Sequence, residues 1–175
     1  MGNEKFFKEY FAIRDEMDLH CAELYKLHAP HLNCKAGCDS CCMDFSIFPV
    51  EFFAIKEQAG DNLKNGIKPA SDGECPFLVN HRCVIYDTRP IICRTQGLPL
   101  LYMGDEQWEL SACELNFTGF DFDEFTEENT FPQDRYNSRL FLLNEKFIES
   151  LQDKLFRNND LIPLKKLFTE QEGEG

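Results

Sequence analysis

Nine cysteines stand among 175 residues, and Cys34, Cys38, Cys41 and Cys42 fall within nine consecutive positions as C-x3-C-x2-C-C. Cysteine thiolates are nucleophiles and soft metal ligands. Spacings of three and four bring side chains onto one side of a helical turn or knuckle. Gly37, just before Cys38, permits the backbone bend that aims thiolates inward. Three of these sulfurs can meet one ion. Cys41 and Cys42 are neighbours whose side chains diverge, so one ion binds both only with difficulty. The pattern implies two or more ions, with or without a bridging thiolate.

A second block supplies Cys75, Cys83 and Cys93, and Cys113 follows on a later segment, for eight sulfurs in all. Residues 75–86 (CPFLVNHRCVIY) read as a hairpin. Cys75 and Cys83 are an even step apart, so they share a face only if the loop has an odd number of residues. The expected loop is Val79–His81, with Phe77 opposite Cys83 and His81 in the left-handed region. An even loop would split the two thiols across the sheet. Residues 34–42 and 75–95 hold Lys35, Arg82, Arg89 and Arg94 against Asp39 and Asp87, a net of +2 that leaves −15 for the rest of a chain whose formal charge is −13. Four thiolates around a divalent ion are anionic, and nearby cations stabilise them and donate to sulfur. Arg89 and Arg94 are the candidates for that supporting role.

The strings CKAGCDSCC, CPFL and CVIYDTRPIICR, with Cys113 after them, resemble the YkgJ-like cysteine-cluster family, small proteins carrying a CxxxCxxCC domain described as zinc- or iron-chelating. The resemblance spans roughly residues 34 to 113. It implies metal chelation by Cys34, Cys38, Cys41, Cys42, Cys75, Cys83, Cys93 and Cys113, and fixes neither the metal nor a reaction. Zinc or iron, two or more ions per chain, is the expected complement. The alternative is an iron-sulfur redox or transferase enzyme using the same cysteines, because zinc and iron-sulfur sites both accept all-cysteine shells.

Composition narrows the setting. Nine cysteines in 175 fall below the ~8–10% that marks a disulfide-built secreted scaffold, and their number is odd. The start, MGNEKFFKEYFAIRDEM, has no apolar stretch of a secretory signal, and no apolar run approaches the ~20 residues of a membrane span. A cytoplasmic, reducing setting is expected, with thiols free for metal. A pI near 4.7 disfavours general nucleic-acid binding. Membrane association is not expected, metal ions are the expected partners, and whether a protein partner exists is left open by the sequence.

Around the cysteines, Phe6, Tyr10, Ile13, Met17, Cys21, Leu24 and His28 recur at helical spacing between Glu4 and His31. After an extended stretch Phe45–Phe48, Pro49 opens a second helix to Gln58. Residues 59–74 form a polar loop, long enough that anchoring at both ends is expected. Asp87–Arg94 reads as a tight turn or one helical turn, and Leu98–Leu115 as a hairpin around Asp105. Pro132 begins a long helix carried by Leu140, Leu143, Phe147, Leu151 and Leu155. A short helix near Pro163–Phe168 precedes the acidic tail 169–175, expected to be disordered. There is no βαβ alternation. The expected fold is therefore α+β, a mostly helical single domain over residues 1–168, with small antiparallel hairpins around a cysteine-ligated metal cluster at 34–113.

Other residues have plainer readings. Cys21 lies on the apolar helix face and is assigned to core packing. His28 and His31, one turn apart before Cys34, could reach a cluster but suit capping of helix C-terminal carbonyls, and His81 suits a turn. The acidic aromatic run 119–131 could meet a partner, but carboxylates preceding a helix are ordinarily favoured by its dipole. C-x3-C-x2-C also holds the cluster of radical-SAM enzymes, whose repeated βα units this chain lacks. A deaminase reading of Cys21-Ala-Glu23 with Cys38-Asp-Ser-Cys41 lacks the proline before the cysteine pair and strands six cysteines.

Overall fold

The computed structural model describes residues 2–60, 73–152 and 155–169. Its long helices are α1 (Glu4–Leu27), α2 (Pro49–Ala59) and α4 (Gln133–Ser150), with one-turn helices α3 (Ile91–Arg94) and α5 (Lys166–Thr169). Short strands make three small sheets: β1 (Ser46–Ile47) with β7 (Ile162–Pro163), β2 (Leu78–Val79) with β3 (Arg82–Cys83), and the order β5-β4-β6 from β4 (Leu100–Met103), β5 (Trp108–Ser111) and β6 (Phe131–Pro132). The class is α+β, as expected.

The 3.6-residue period explains the helices. Phe6, Phe7, Tyr10, Ile13, Met17, Cys21 and Leu24 line the buried stripe of α1. They pack against Tyr136, Leu140, Leu143 and Phe147 of α4 and against Val50 and Ala54 of α2. Proline at the first position opens α2, and Gly60 at φ 46° ends it. This helix is apolar on both sides because it is a wall. Its other side, Phe52, Ile55 and Ala59, joins Phe77, Ile85, Ile162, Leu164 and Leu167 in a second core. Cys75 and Cys83 pack against that second core.

Several expectations are corrected. Helix α4 stops at Ser150, whose hydroxyl donates to Phe147 O at 2.6 Å. Leu151 is extended, and Leu155, beyond the helix end, is 75% exposed. The β2–β3 loop has two residues, Asn80 and His81, both at positive φ (50° and 61°), and Leu78 rather than Phe77 faces Cys83. This is the geometry that a two-residue hairpin favours, and Asn is a residue that tolerates it. Cys75 precedes the strand, in the turn closed by Leu78 N–H on Cys75 O at 3.2 Å, so strand parity does not govern it. The carboxylates of residues 121–128 precede β6, and Asp134 is the acidic residue in the first turn of α4. A helix dipole acts within about one turn, so it does not account for the earlier ones. The expected anchoring of the 59–74 loop falls largely outside the described residues, although at its far end Met43 bridges Glu74 and Asp44 N–H donates to Gly73 O at 3.1 Å. The tail beyond Thr169 also lies outside them.

Candidate metal centre

Residues 34–42 form two successive turns, closed by Cys38 N–H on Lys35 O (2.9 Å) and Cys42 N–H on Asp39 O (2.8 Å). Gly37, at φ +93°, makes the first turn possible. All nine cysteines are free thiols. Among the described residues, no three His, Cys, Asp or Glu side chains already converge on a point that would hold an ion.

Burial raises the pKa of several of the thiols, and neighbouring sulfurs add to the rise. Burial raises the pKa of Cys41, with Cys34, Cys38 and Cys113 adding to the rise. Burial pushes Cys42 up to about 12, followed by Cys41, Cys75, Cys83 and Asp39. Cys93 rises through burial and then through Cys75, Glu51, Cys83 and Cys42. Burial also raises Cys83, with a contribution from Cys75, while the Ile85 N–H and the Arg89 charge oppose it. Cys75 and Cys83 thus act on both Cys42 and Cys93, Cys42 acts on Cys93, and Cys75 acts on Cys83, while Cys41 acts on Cys42. Of the other four, Cys34, Cys38 and Cys113 act on Cys41.

The thiols are held differently. Cys75 and Cys83 rest on the second core, and Cys93 lies in α3. The first backbone N–H of α3, that of Ile91, donates to Glu51 Oε1 at 2.7 Å, and Tyr10 Oη donates to the same oxygen at 2.9 Å. Glu51 is only 2% exposed, and burial pushes its carboxyl up to about 7. It positions the turn that carries Cys93. Cys34 and Cys113 are fixed by polar contacts. Buried Asn116 donates through Nδ2 to Gly97 O (2.7 Å) and to Cys34 Sγ (3.2 Å), and its Oδ1 accepts from Asn33 N–H (2.8 Å). Asn116 N–H donates to Cys113 O at 2.9 Å. Gly97, at φ +93°, leaves room for sulfur, because a Cβ there would stand 2.7 Å from Cys34 Sγ.

The expected supporting residues have defined places. Arg94 is buried and donates to Asp18 Oδ2 (2.6 Å), Asp87 O (2.7 Å) and Arg89 O (2.9 Å), tying the 87–94 turn to α1. Arg89 lies 3.7 Å from the Tyr86 ring centroid, and its charge lowers the Cys83 pKa. Cys21 is in the first core, where burial raises it to about 12. His28 is buried with Nε2 2.6 Å from Asn129 O, and both His28 and His31 pack on Phe117 and Phe120. The His28 imidazole thus partners a distant carbonyl instead of capping its own helix. His81 Nδ1 lies 2.8 Å from Asp39 Oδ2, linking the β2–β3 turn to the cysteine loop.

Glu51, Gly97 and Asn116 were not evident from spacing. A carboxylate inside the apolar string PVEFFAI was a signal for Glu51, since charged residues are seldom buried without a partner. Gly97 and Asn116 act through contacts between distant segments, which leave no local pattern.

The donor set fits soft-metal chemistry: eight half-buried or exposed thiols, free of disulfides. Residues 33–114 match the CxxCxxCC family, described as a "putative zinc- or iron-chelating domain". No curated protein and no solved structure matches the chain.

Proposed function

With a domain of the CxxCxxCC family across its middle, we propose that this chain chelates two zinc or iron ions. Cys34, Cys38, Cys41 and Cys113 would hold one, and Cys42, Cys75, Cys83 and Cys93 the other. What supports the reading is placement: Cys34 and Cys113 are tied to Asn116, Cys75 and Cys83 rest on the second core, and the adjacent Cys41 and Cys42 stand between them in sequence. A single cluster would require both of those adjacent side chains to turn to one centre. Thiols whose protons are held tightly by burial surrender them when an ion replaces them, so binding releases protons. The ions would tie the cysteine loop to the β2–β3 hairpin and α3 on one side, and to the segment after β5 on the other.

The test is elemental analysis and Co(II) titration of anaerobically purified full-length protein and of C93S and C113S. Two ions per wild-type chain, falling to one in each variant, are expected. A single ion, loss of both ions in either variant, or a metal-free folded protein refutes the two-site reading. Brown protein containing inorganic sulfide would establish the iron-sulfur chemistry in its place.

A further inference from the structure

Residues 95–134 contain ten Asp and Glu and no Lys or Arg. None of the ten is in an ion pair among the described residues. The same stretch presents apolar surface. In the β4–β5 hairpin, Leu101 faces Leu110 and Met103 faces Trp108. Side chains two apart lie on one side of a strand, so these four share a face. Trp108 is 57% and Met103 48% exposed. The turn Phe122–Glu124 lies across this face, with Phe122 itself 53% exposed. Between hairpin and turn is an open cavity of about 450 Å³, lined by Leu101, Trp108, Leu110, Phe122 and Phe125, with Asp123 and Glu127 also on its wall.

Exposed Trp and Phe around a concavity differ from scattered single apolar residues, which need no explanation. Aromatic side chains seated in pockets are the usual anchors of interfaces. The charge selects the occupant. Leaving the apolar side chains in water is unfavourable, but the surrounding carboxylates repel an acidic cover, and a second copy of a chain of formal charge −13 brings the same sign. We infer that the β4–β5 face and the 122–127 turn form a docking surface for a basic segment of another protein, one large apolar side chain entering the cavity and flanking Lys or Arg meeting the carboxylates. This inference is independent of the metal reading.

Trp108 is the sole tryptophan, so its emission reports occupancy directly. The probe is a capped pentapeptide with one leucine flanked on each side by two lysines, titrated into the metal-loaded full chain. A saturable shift of Trp108 emission is expected. It should weaken about tenfold when alanine replaces the leucine, through lost apolar burial, and should weaken again in 0.5 M salt, which shortens electrostatic reach to a few ångströms. F122S should weaken binding without altering the far-UV spectrum. D123N/E127Q, which leaves the apolar wall intact, should weaken it separately. No shift at millimolar peptide overturns the inference. So does equal binding of the alanine peptide, of a glutamate-flanked peptide, or by both variants. A concentration-dependent emission change without peptide, accompanied by dimer in sedimentation, would assign the surface to a second copy and also overturn it.

Discussion

Changing Gly97 to alanine tests whether the two thiol sets are independent. Gly97 has φ +93°, and a Cβ placed on it would stand 2.7 Å from Cys34 Sγ and 3.3 Å from Asn116 Nδ2. Two costs follow. The backbone conformation disfavours an L side chain by roughly 1–2 kcal/mol, which lowers the stability of the whole fold. The Cβ also forces Cys34 Sγ to retreat by about an ångström towards an ordinary carbon–sulfur separation, which would disturb only the proposed set Cys34, Cys38, Cys41 and Cys113. Gly119 separates the two costs. Its φ is +78°, but a Cβ there meets nothing within 4 Å, so G119A carries backbone strain alone. Denaturant unfolding should show both variants destabilised by comparable amounts. In competition with a chromophoric chelator, G97A should lose affinity for one of two ions by at least about tenfold, the equivalent of ~1.4 kcal/mol, whereas G119A should retain both. Loss of both ions together in G97A would mean that the eight thiols form one cooperative centre. Unchanged affinity for both would mean that Cys34 is not a ligand.

Two other perturbations have worked-out signs. The Glu51 carboxyl, raised from 4.5 to about 7 chiefly by burial, stabilises the fold most when protonated. That contribution is complete below the unfolded value and is lost as pH rises through 7, so wild-type stability should fall by about 1.4 kcal/mol between pH 6 and 8.5 relative to E51Q. Parallel pH profiles of the two proteins in urea unfolding would show that the carboxyl is already ionised in the fold. Cys21 is in the first core, 4% exposed, so C21A should lower the unfolding free energy by roughly 1–2 kcal/mol while leaving two ions bound; loss of an ion on metal analysis would make Cys21 a ligand.

The parts of the fold legible in the sequence are those whose stability is local or periodic. Helix α1 could be read because one face is apolar at three- and four-residue steps, and α2 because Pro49 opens it. The β4–β5 hairpin likewise shows as two apolar runs around Asp105. What escaped depends on distant partners. The strand pairs β1–β7 and β4–β6 are two-residue ladders between remote segments, too short to leave a period. The Val79–His81 loop was misplaced because parity was applied to Cys75, which stands in a turn. Of the candidate site, the sequence displays the donors, since C-x3-C-x2-C-C is dense enough to exclude chance. It does not display their support, because Glu51, Gly97 and Asn116 act on α3 and Cys34 through hydrogen bonds and close approach.

The distribution of burial explains why this fold would use metal although its size does not demand it. Two cores organise the helices, yet no residue from Ala29 to Ser46 is buried. That segment carries four of the eight thiols and is held by turn hydrogen bonds, the Asn33–Asn116 contact and the His81–Asp39 pair. Water competes for contacts of this kind, and each contributes only about 1 kcal/mol net. Hydrophobic burial therefore cannot fix the loop, whereas ligation can, because binding free energy at a thiolate site that forms only in the folded chain is also folding free energy. In the proposed two-ion arrangement the placement of Cys41 and Cys42 would extend that effect to both sides, because adjacent residues directed to different ions would make a single peptide unit the joint between the segment after β5 and the elements resting on the second core.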